Sequence, residues 1–160
     1  VAFAMACPNL IWVPTDIDEA RLASIAIYVS DAQLENLTLP VKLDATKAGW
    51  SASTGKLNLI VLVNLLHLIS AEHARTAMDE VSQALAPGGM FLLYGPFKRE
   101  GALISEGDAR FHESLINADR EIGYKDDTEI LNWACDSGLV VDQILEMPAN
   151  NLSFVIRKPK

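Results

Sequence analysis

The sequence predicts an α/β domain in which a mostly parallel sheet carries helices on both faces and ends in an antiparallel C-terminal hairpin. Three observations lead to this prediction. Strand-like and helix-like segments alternate along the chain, which is typical of parallel sheets. A continuous β-branched and leucine run at residues 59–63 is typical of strands that are buried on both faces. Two strand-like runs close the chain and are separated by turn residues at 148–151.

The first 56 residues contain short elements that end at turn residues or polar stretches. In chain order, the predicted elements are a helix end at 1–6, a strand at 11–13, a helix at 20–29, a strand at 40–44 and a loop at 47–56. Pro14 stops the first of these strands. Asp18 directly precedes the helical pattern and is therefore the predicted N-cap of that helix.

The remaining residues contain longer elements. In chain order, they are a central strand at 59–63, a helix from Ser70 to Leu85, a strand at 90–94, a helical stretch at 109–118, a helix at about 127–137, and strands at 140–147 and 152–156. Pro87-Gly88-Gly89 is expected to end the helix that begins at Ser70. Asp126 with Glu129 predicts a capping box. The long connection at 95–125 is typical of a lid.

Composition restricts the classes of function. The chain has 160 residues, of which 50% are hydrophobic, so it is long enough for a single domain over residues 1–160. Its formal net charge of −8 repels phosphate backbones and anionic lipids, which argues against nucleic acid or a membrane surface as a partner. The longest apolar run, at 57–69, contains polar residues and is too short to span a membrane.

Cysteine usage indicates the compartment. Cys7 and Cys135 are the only cysteines, and their spacing fits neither a disulfide framework nor a zinc site. We therefore expect a reducing cytoplasm and no metal.

Four segments carry a resemblance to a known family. They are Trp12-Val-Pro-Thr-Asp-Ile-Asp18, Asn64-Leu-Leu-His67, Leu93-Tyr-Gly-Pro-Phe-Lys-Arg-Glu-Gly101 and Glu146-Met-Pro-Ala-Asn-Asn-Leu152. The last two are the distinctive ones. Together with the order of elements over nearly the whole chain, they resemble a little-characterised, mainly bacterial branch of the class I S-adenosylmethionine-dependent methyltransferases. The resemblance implies a Rossmann-like methyltransferase fold, S-adenosylmethionine as cofactor and a small methyl acceptor.

The resemblance also implies cofactor contacts at two acidic turns. Asp16, at the end of the second strand of this fold, would bind the ribose hydroxyls, because a carboxylate accepts two hydroxyl donors. Asp44 would accept a hydrogen bond from the adenine amino group. Ile17, Ala45 and Asn64 are implied as further cofactor-binding residues. On the residues alone, each carboxylate has an alternative role in stabilising a turn.

Four residues are candidates for contact with the substrate: His67, Tyr94, Asn150 and Asn151. We expect them at the carboxyl ends of the strands, where open α/β sheets bind ligands. Each has a structural alternative. His67 and Tyr94 are also compatible with core positions, and the two asparagines with an Asx turn.

One motif of this fold has no match in the sequence. The cofactor's carboxypropyl end lies against a glycine-rich turn after the first strand, and the nine glycines here include no pair separated by one residue. The first strand lies in the middle of the family's sheet. We expect the gap to be filled by direct pairing of the Ile11 and Ile60 strands, by a strand of another chain, or by residues outside the 160. Exposed sheet edges predict a homodimer.

Three functional hypotheses remain. The first is methyl transfer by in-line displacement, which depends more on positioning than on a strong base. The second is a non-catalytic, truncated relic that folds and oligomerises without productive cofactor binding. The third is a nicotinamide-dependent oxidoreductase, because an acidic residue at the second strand's end is shared between these folds. The hairpin and Tyr94-Gly-Pro-Phe97 favour the first hypothesis over the third.

Overall fold

The computed structural model describes all 160 residues, and the chain divides into two compact units. We call Val1–Ala45 the N-terminal unit and Thr46–Lys160 the C-terminal unit. The prediction of a single domain over residues 1–160 stays a prediction. No helix in either unit is long and apolar enough to cross a membrane.

The N-terminal unit holds two helices and a two-stranded parallel sheet. Its elements are α1 (Ala2–Ala6), β1 (Thr15–Asp16), α2 (Glu19–Ala32) and β2 (Val41–Lys42). The predicted strand at 11–13 is wrong, because only Trp12 of this run pairs, with Leu37. The ladder of β1 instead begins beyond Pro14, whose carbonyl accepts from the N–H of Val41 at 2.9 Å. A proline accepts such a bond but has no N–H to donate.

The C-terminal unit holds a four-stranded sheet with helices against it. Its elements are α3 (Ser51–Thr54), β3 (Leu57–Val63), a 3-10 helix (Leu66–Leu68), α4 (Ala71–Ala84), β4 (Leu85–Pro96), α5 (Glu106–Ala118), α6 (Asp127–Asp136), β5 (Val140–Glu146), a second 3-10 helix (Pro148–Asn150) and β6 (Asn151–Arg157). The strand order is β3-β4-β6-β5. β3 and β4 are parallel, and β6 runs antiparallel to β4 and β5. The α/β class and the antiparallel closing hairpin are confirmed, and the pairs outside the strands of that hairpin, β1 with β2 and β3 with β4, are parallel as predicted.

The predicted central strand at 59–63 forms, but it lies at an edge of this sheet. None of its residues is fully buried. β4 takes a central position instead, because it pairs with β3 on one side and with β6 on the other. The runs around Ile11 and Ile60, which we considered as direct partners, find other partners: Trp12 pairs with Leu37 and β3 pairs with β4.

The backbone turns directly from α4 into β4. The helix ends at Ala84, one residue before the predicted end, and the extended strand already includes Pro87-Gly88-Gly89. At Gly89 a Cβ atom would lie 3.0 Å from the carbonyl oxygen of Leu57 on the neighbouring strand. The register between β3 and β4 shifts at this point, so glycine permits a bulge here.

The predicted helix starts are confirmed by side-chain caps. The hydroxyl of Ser70 accepts from the N–H of His73 at the start of α4, and Asp126 and Glu129 form both bonds of a capping box at the start of α6. The segment at 47–56, predicted as a loop, contains the short helix α3. The Glu80 carboxylate on α4 accepts from the N–H groups of Gly49 and Ser51, both at 2.8 Å, and so fixes this turn.

The core of the C-terminal unit lies between the sheet and helices α4 and α6. Its fully buried large side chains come from α4, β4, α6 and β6: Val81, Leu85, Phe91, Leu93, Ile130, Leu152, Phe154 and Ile156. Each such side chain contributes about 1.5–3 kcal/mol through burial. This core positions the carboxyl ends of β3 and β4, where the candidate site lies.

Candidate functional site

The N-terminal unit brings two of the predicted carboxylates together. β1 and β2 are parallel, so Asp16 at the end of β1 and Asp44 just after β2 lie at the same edge of their sheet. The carbonyl oxygen of Asp16 accepts from the N–H of Leu43 at 3.0 Å. Ile17, which follows Asp16, is exposed, and Ala45, which follows Asp44, is half-buried. The predicted cofactor-binding residues of this unit therefore cluster.

The carboxylate of Asp16 stabilises a turn. Its Oδ1 accepts from the N–H of Asp18 at 2.9 Å, and its Oδ2 lies 4.0 Å from Arg21 Nη1. Asp18 in turn caps α2 through the N–H of Arg21. The side chain of Asp16 keeps 23% of its surface exposed. Because a carboxylate has about four acceptor positions, this turn leaves lone pairs for hydroxyl donors.

The C-terminal unit contains an open cavity of about 430 Å³ at the carboxyl ends of β3 and β4. Its lining combines polar and apolar residues: Asn64, His67, Leu68, Pro96, Phe111, Tyr124, Ala149 and Asn151. Its volume falls within the range of small-molecule sites. Three candidate residues, Asn64, His67 and Asn151, are thus brought to one cavity.

Asn64 directly follows β3. Its backbone lies in the left-handed region, with φ at 54°, and its N–H donates to the carbonyl of Tyr94 at 2.9 Å. Asparagine tolerates this conformation better than most residues. This backbone bond ties the exit of β3 to β4, and the exposed side chain of Asn64 lines the cavity.

The sequence left open whether His67 contacts the substrate or belongs to the core, and the structure is compatible with both. Its side chain is only 7% exposed, yet it lines the cavity. The ring of Phe111 lies edge-on at 5.8 Å and that of Tyr124 at 6.2 Å. Burial, and then the positive charge of Lys125, lower the pKa of His67. The imidazole is therefore neutral at pH 7 and retains one nitrogen that accepts a proton.

Tyr94 does not line the cavity itself but contacts Asn151, which does. The amide nitrogen of Asn151 donates to the hydroxyl of Tyr94 at 3.2 Å and to the carbonyl of Pro148 at 3.1 Å. These two bonds orient the side chain of Asn151. Tyr94 is half-buried and is not among the cavity-lining residues, so it supports the site from behind.

Asn150 is oriented toward α5. Its amide nitrogen donates to Asp108 Oδ2 at 2.9 Å and to Ser105 Oγ at 3.3 Å. The hydroxyl of Tyr124 donates to the other oxygen of Asp108 at 3.3 Å. Asn150 therefore links the hairpin turn to the start of α5, and it does not line the cavity.

Sequence reasoning missed several residues around the cavity. They are Arg99, Asp108, Phe111, Tyr124 and Lys125. Only Arg99 carried a signal, because it lies in the distinctive segment at 93–101. The others contact residues far away in sequence, and no local pattern marks such contacts.

Solved structures share this fold. PigF with SAH is 18% identical with a TM-score of 0.79, and the match covers 98% of this chain and 51% of that one. An O-methyltransferase family protein from Burkholderia thailandensis is 14% identical with a TM-score of 0.81, over 98% of this chain and 46% of that one. The S-adenosylmethionine-dependent methyltransferase SibL in its apo form is 16% identical with a TM-score of 0.81, over 99% of this chain and 46% of that one.

These likenesses define the class of fold. The fold is that of the class I S-adenosylmethionine-dependent methyltransferases, as the resemblance implied. The chain spans about half the length of these solved structures. More narrowly, the chain belongs to the family described as "Protein of unknown function (DUF938)", whose family model matches residues 1–158.

Proposed function

We propose that the protein transfers the methyl group of S-adenosylmethionine to a small acceptor that binds in the cavity of the C-terminal unit. One observation carries this proposal: Asn64, His67 and Asn151 converge on a cavity at the carboxyl ends of parallel strands. Open α/β sheets bind their ligands at this position. The likeness of the fold to methyltransferases supports the reaction class.

The proposed cofactor contacts in the N-terminal unit are Asp16, Ile17, Asp44 and Ala45. The chemistry of Asp16 fits this role, because its partly exposed carboxylate has acceptor positions beyond the bond from Asp18. S-adenosylmethionine, when bound, supplies an electrophilic methyl group on a sulfonium.

His67 is the proposed proton acceptor. A hydroxyl or amino group loses a proton when it is methylated, and a neutral imidazole on the cavity wall is able to accept that proton. Asn151, held by Tyr94 and Pro148, is the proposed orienting contact for the acceptor. Most of the rate enhancement would come from positioning.

Calorimetric titration of the purified protein with S-adenosylhomocysteine and with NAD tests this function. We expect S-adenosylhomocysteine to bind and NAD to give no heat. Binding of NAD alone would favour an oxidoreductase, and no heat with either ligand would favour a non-catalytic relic. Either result would refute the proposed reaction.

Asp16 variants test the cofactor contact. We expect Asp16→Ala and Asp16→Asn to weaken S-adenosylhomocysteine at least tenfold, which corresponds to about 1.4 kcal/mol. Asp16→Asn keeps an oxygen that accepts from the N–H of Asp18, so it separates ligand binding from turn stability. Asp31→Ala is the matched control, because Asp31 is exposed on α2 and its loss changes the charge equally. An affinity unchanged in both Asp16 variants would remove this residue from the site.

Self-association and location complete the proposal. Both outer strands of the four-stranded sheet, β3 and β5, have one strand partner each. An unpaired strand edge is a template for another chain, so we propose a homodimer through these edges.

Cys7 and Cys135 are both free and exposed, which supports a reducing cytoplasm as the location.

A further inference from the structure

Lys125, between α5 and α6, is a buried cation whose hydrogen bonds go to backbone carbonyls. The residue is 5% exposed, and it forms no ion pair with an acidic side chain. Its ammonium donates to the carbonyls of Ile69 at 2.8 Å and of Gly123 at 2.9 Å. The carboxylate of Glu129 accepts from the N–H of Asp126. Burial lowers the pKa of the Lys125 ammonium, and the negative charge of Glu129 offsets only part of this effect. Burying an ammonium that has hydrogen bonds to carbonyls and no ion pair costs free energy, so this arrangement requires an explanation.

The two carbonyls that bind Lys125 flank His67. Ile69 follows His67 by two residues, and the N–H of Gly123 donates to the carbonyl of His67 at 3.0 Å. Tyr124, between Gly123 and Lys125 in sequence, places its ring edge-on to the imidazole. Lys125 therefore joins the two backbone segments that enclose the His67 side chain.

We propose that Lys125 is a positioning residue for His67, fixing the backbone around the imidazole and placing a positive charge near it. The use of His67 in methyl transfer rests on the proposed function, whereas the coupling between the two side chains does not. Without this charge, His67 would hold its proton at a higher pH and would accept one from a substrate less readily.

The other charged and titratable groups near His67 do not oppose this effect. Tyr124 stays neutral, since burial and then the charge of Asp108 raise its pKa to about 12. His112 accepts from the N–H of Tyr124 through Nδ1 at 3.0 Å, and burial, Lys98 and Lys125 all lower its pKa. Asp108 is engaged by Ser105, Asn150 and Tyr124. Besides burial, the charge that acts on the pKa of His67 is that of Lys125.

Nuclear magnetic resonance titration of the histidine ring protons tests the inference in the ligand-free protein. The chain has only His67, His73 and His112, and His67→Gln assigns the first signal. In Lys125→Met we expect the titration midpoint of His67 to move to higher pH. Lys125→Arg keeps the positive charge, so its His67 midpoint should stay close to that of the wild type.

Lys98→Met is the matched control, because Lys98 acts on the pKa of His112 and not on that of His67. It should raise the midpoint of His112 and leave that of His67 unchanged. Lys125→Gln retains a donor for one carbonyl without the charge, and it replaces Lys125→Met if that variant does not fold. A folded variant without the charge whose His67 midpoint equals that of the wild type would overturn the inference, whatever the cofactor titration shows.

Discussion

Arg99 joins the two segments that make the sequence distinctive. Its side chain is 16% exposed, and it donates from Nη1 to the carbonyl of Phe97 at 2.9 Å and from Nη2 to that of Asn150 at 3.1 Å. The turn that it holds contains Ala149 and Asn150, both with φ at 58°. A left-handed alanine costs roughly 1–2 kcal/mol. Such a turn persists only when contacts outside it hold it in place.

We expect Arg99→Ala to lower the free energy of unfolding by about 2–3 kcal/mol. The variant loses three charge-assisted bonds to carbonyls, of which those to Phe97 and Asn150 are short and the one to Asn151 is long, at 3.4 Å. At the lower end of about 1.5–3 kcal/mol for each bond, the two short bonds give about 3 kcal/mol, and the water that the freed carbonyls regain reduces this value. The ion pair with Glu146 is left out of this sum, because that carboxylate is exposed and its interaction is screened. Urea denaturation followed by circular dichroism measures the change.

Two further measurements make this prediction specific. Hydrogen exchange should speed up at residues 149–151 in Arg99→Ala, because the turn loses its outside support. Arg110→Ala is the control, since that side chain is 74% exposed and its loss should change the free energy of unfolding by less than about 0.5 kcal/mol. A loss below about 1 kcal/mol in Arg99→Ala, with unchanged exchange in the turn, would refute the reasoning.

The remaining predictions concern pH and assembly. Burial raises the pKa of Glu80, but hydrogen bonds from Gly49 and Ser51 outweigh it, so the pKa lies below its ordinary value of 4.5. Glu80→Gln should therefore lower the free energy of unfolding at pH 7. The difference in this free energy between the variant and the wild type should shrink as the pH falls below 4.5 through the lowered pKa. A difference that is independent of pH in urea denaturation would contradict this. Analytical ultracentrifugation should find a dimer of the 17.5 kDa chain that Val63→Lys on β3 or Ile144→Lys on β5 returns to a monomer, and a monomeric wild type would exclude the edge contact.

Local signals explain which parts of the fold were predictable. Asp18, Ser70 and Asp126 each cap a helix through bonds that span two or three residues, so a short stretch of sequence carries the whole interaction. The placement of Asn64 and Asn151 was also predictable, because the carboxyl ends of parallel strands lie at one edge of a sheet. Both side chains line one cavity at that edge, whereas Asn150 and Tyr94, predicted for the same place, do not line it.

The sequence alone determined the fold class, the helix caps and the grouping of candidate residues at strand ends, because periodicity and capping act over a few neighbouring residues. Only the tertiary structure decided that β4 rather than β3 is central, since burial of a strand depends on how many partners it finds. It also decided the contacts of Arg99 with Asn150 and of Lys125 with Ile69, which lie 51 and 56 residues apart. Contacts at such separations arise only when the chain folds back on itself, and no local pattern encodes them.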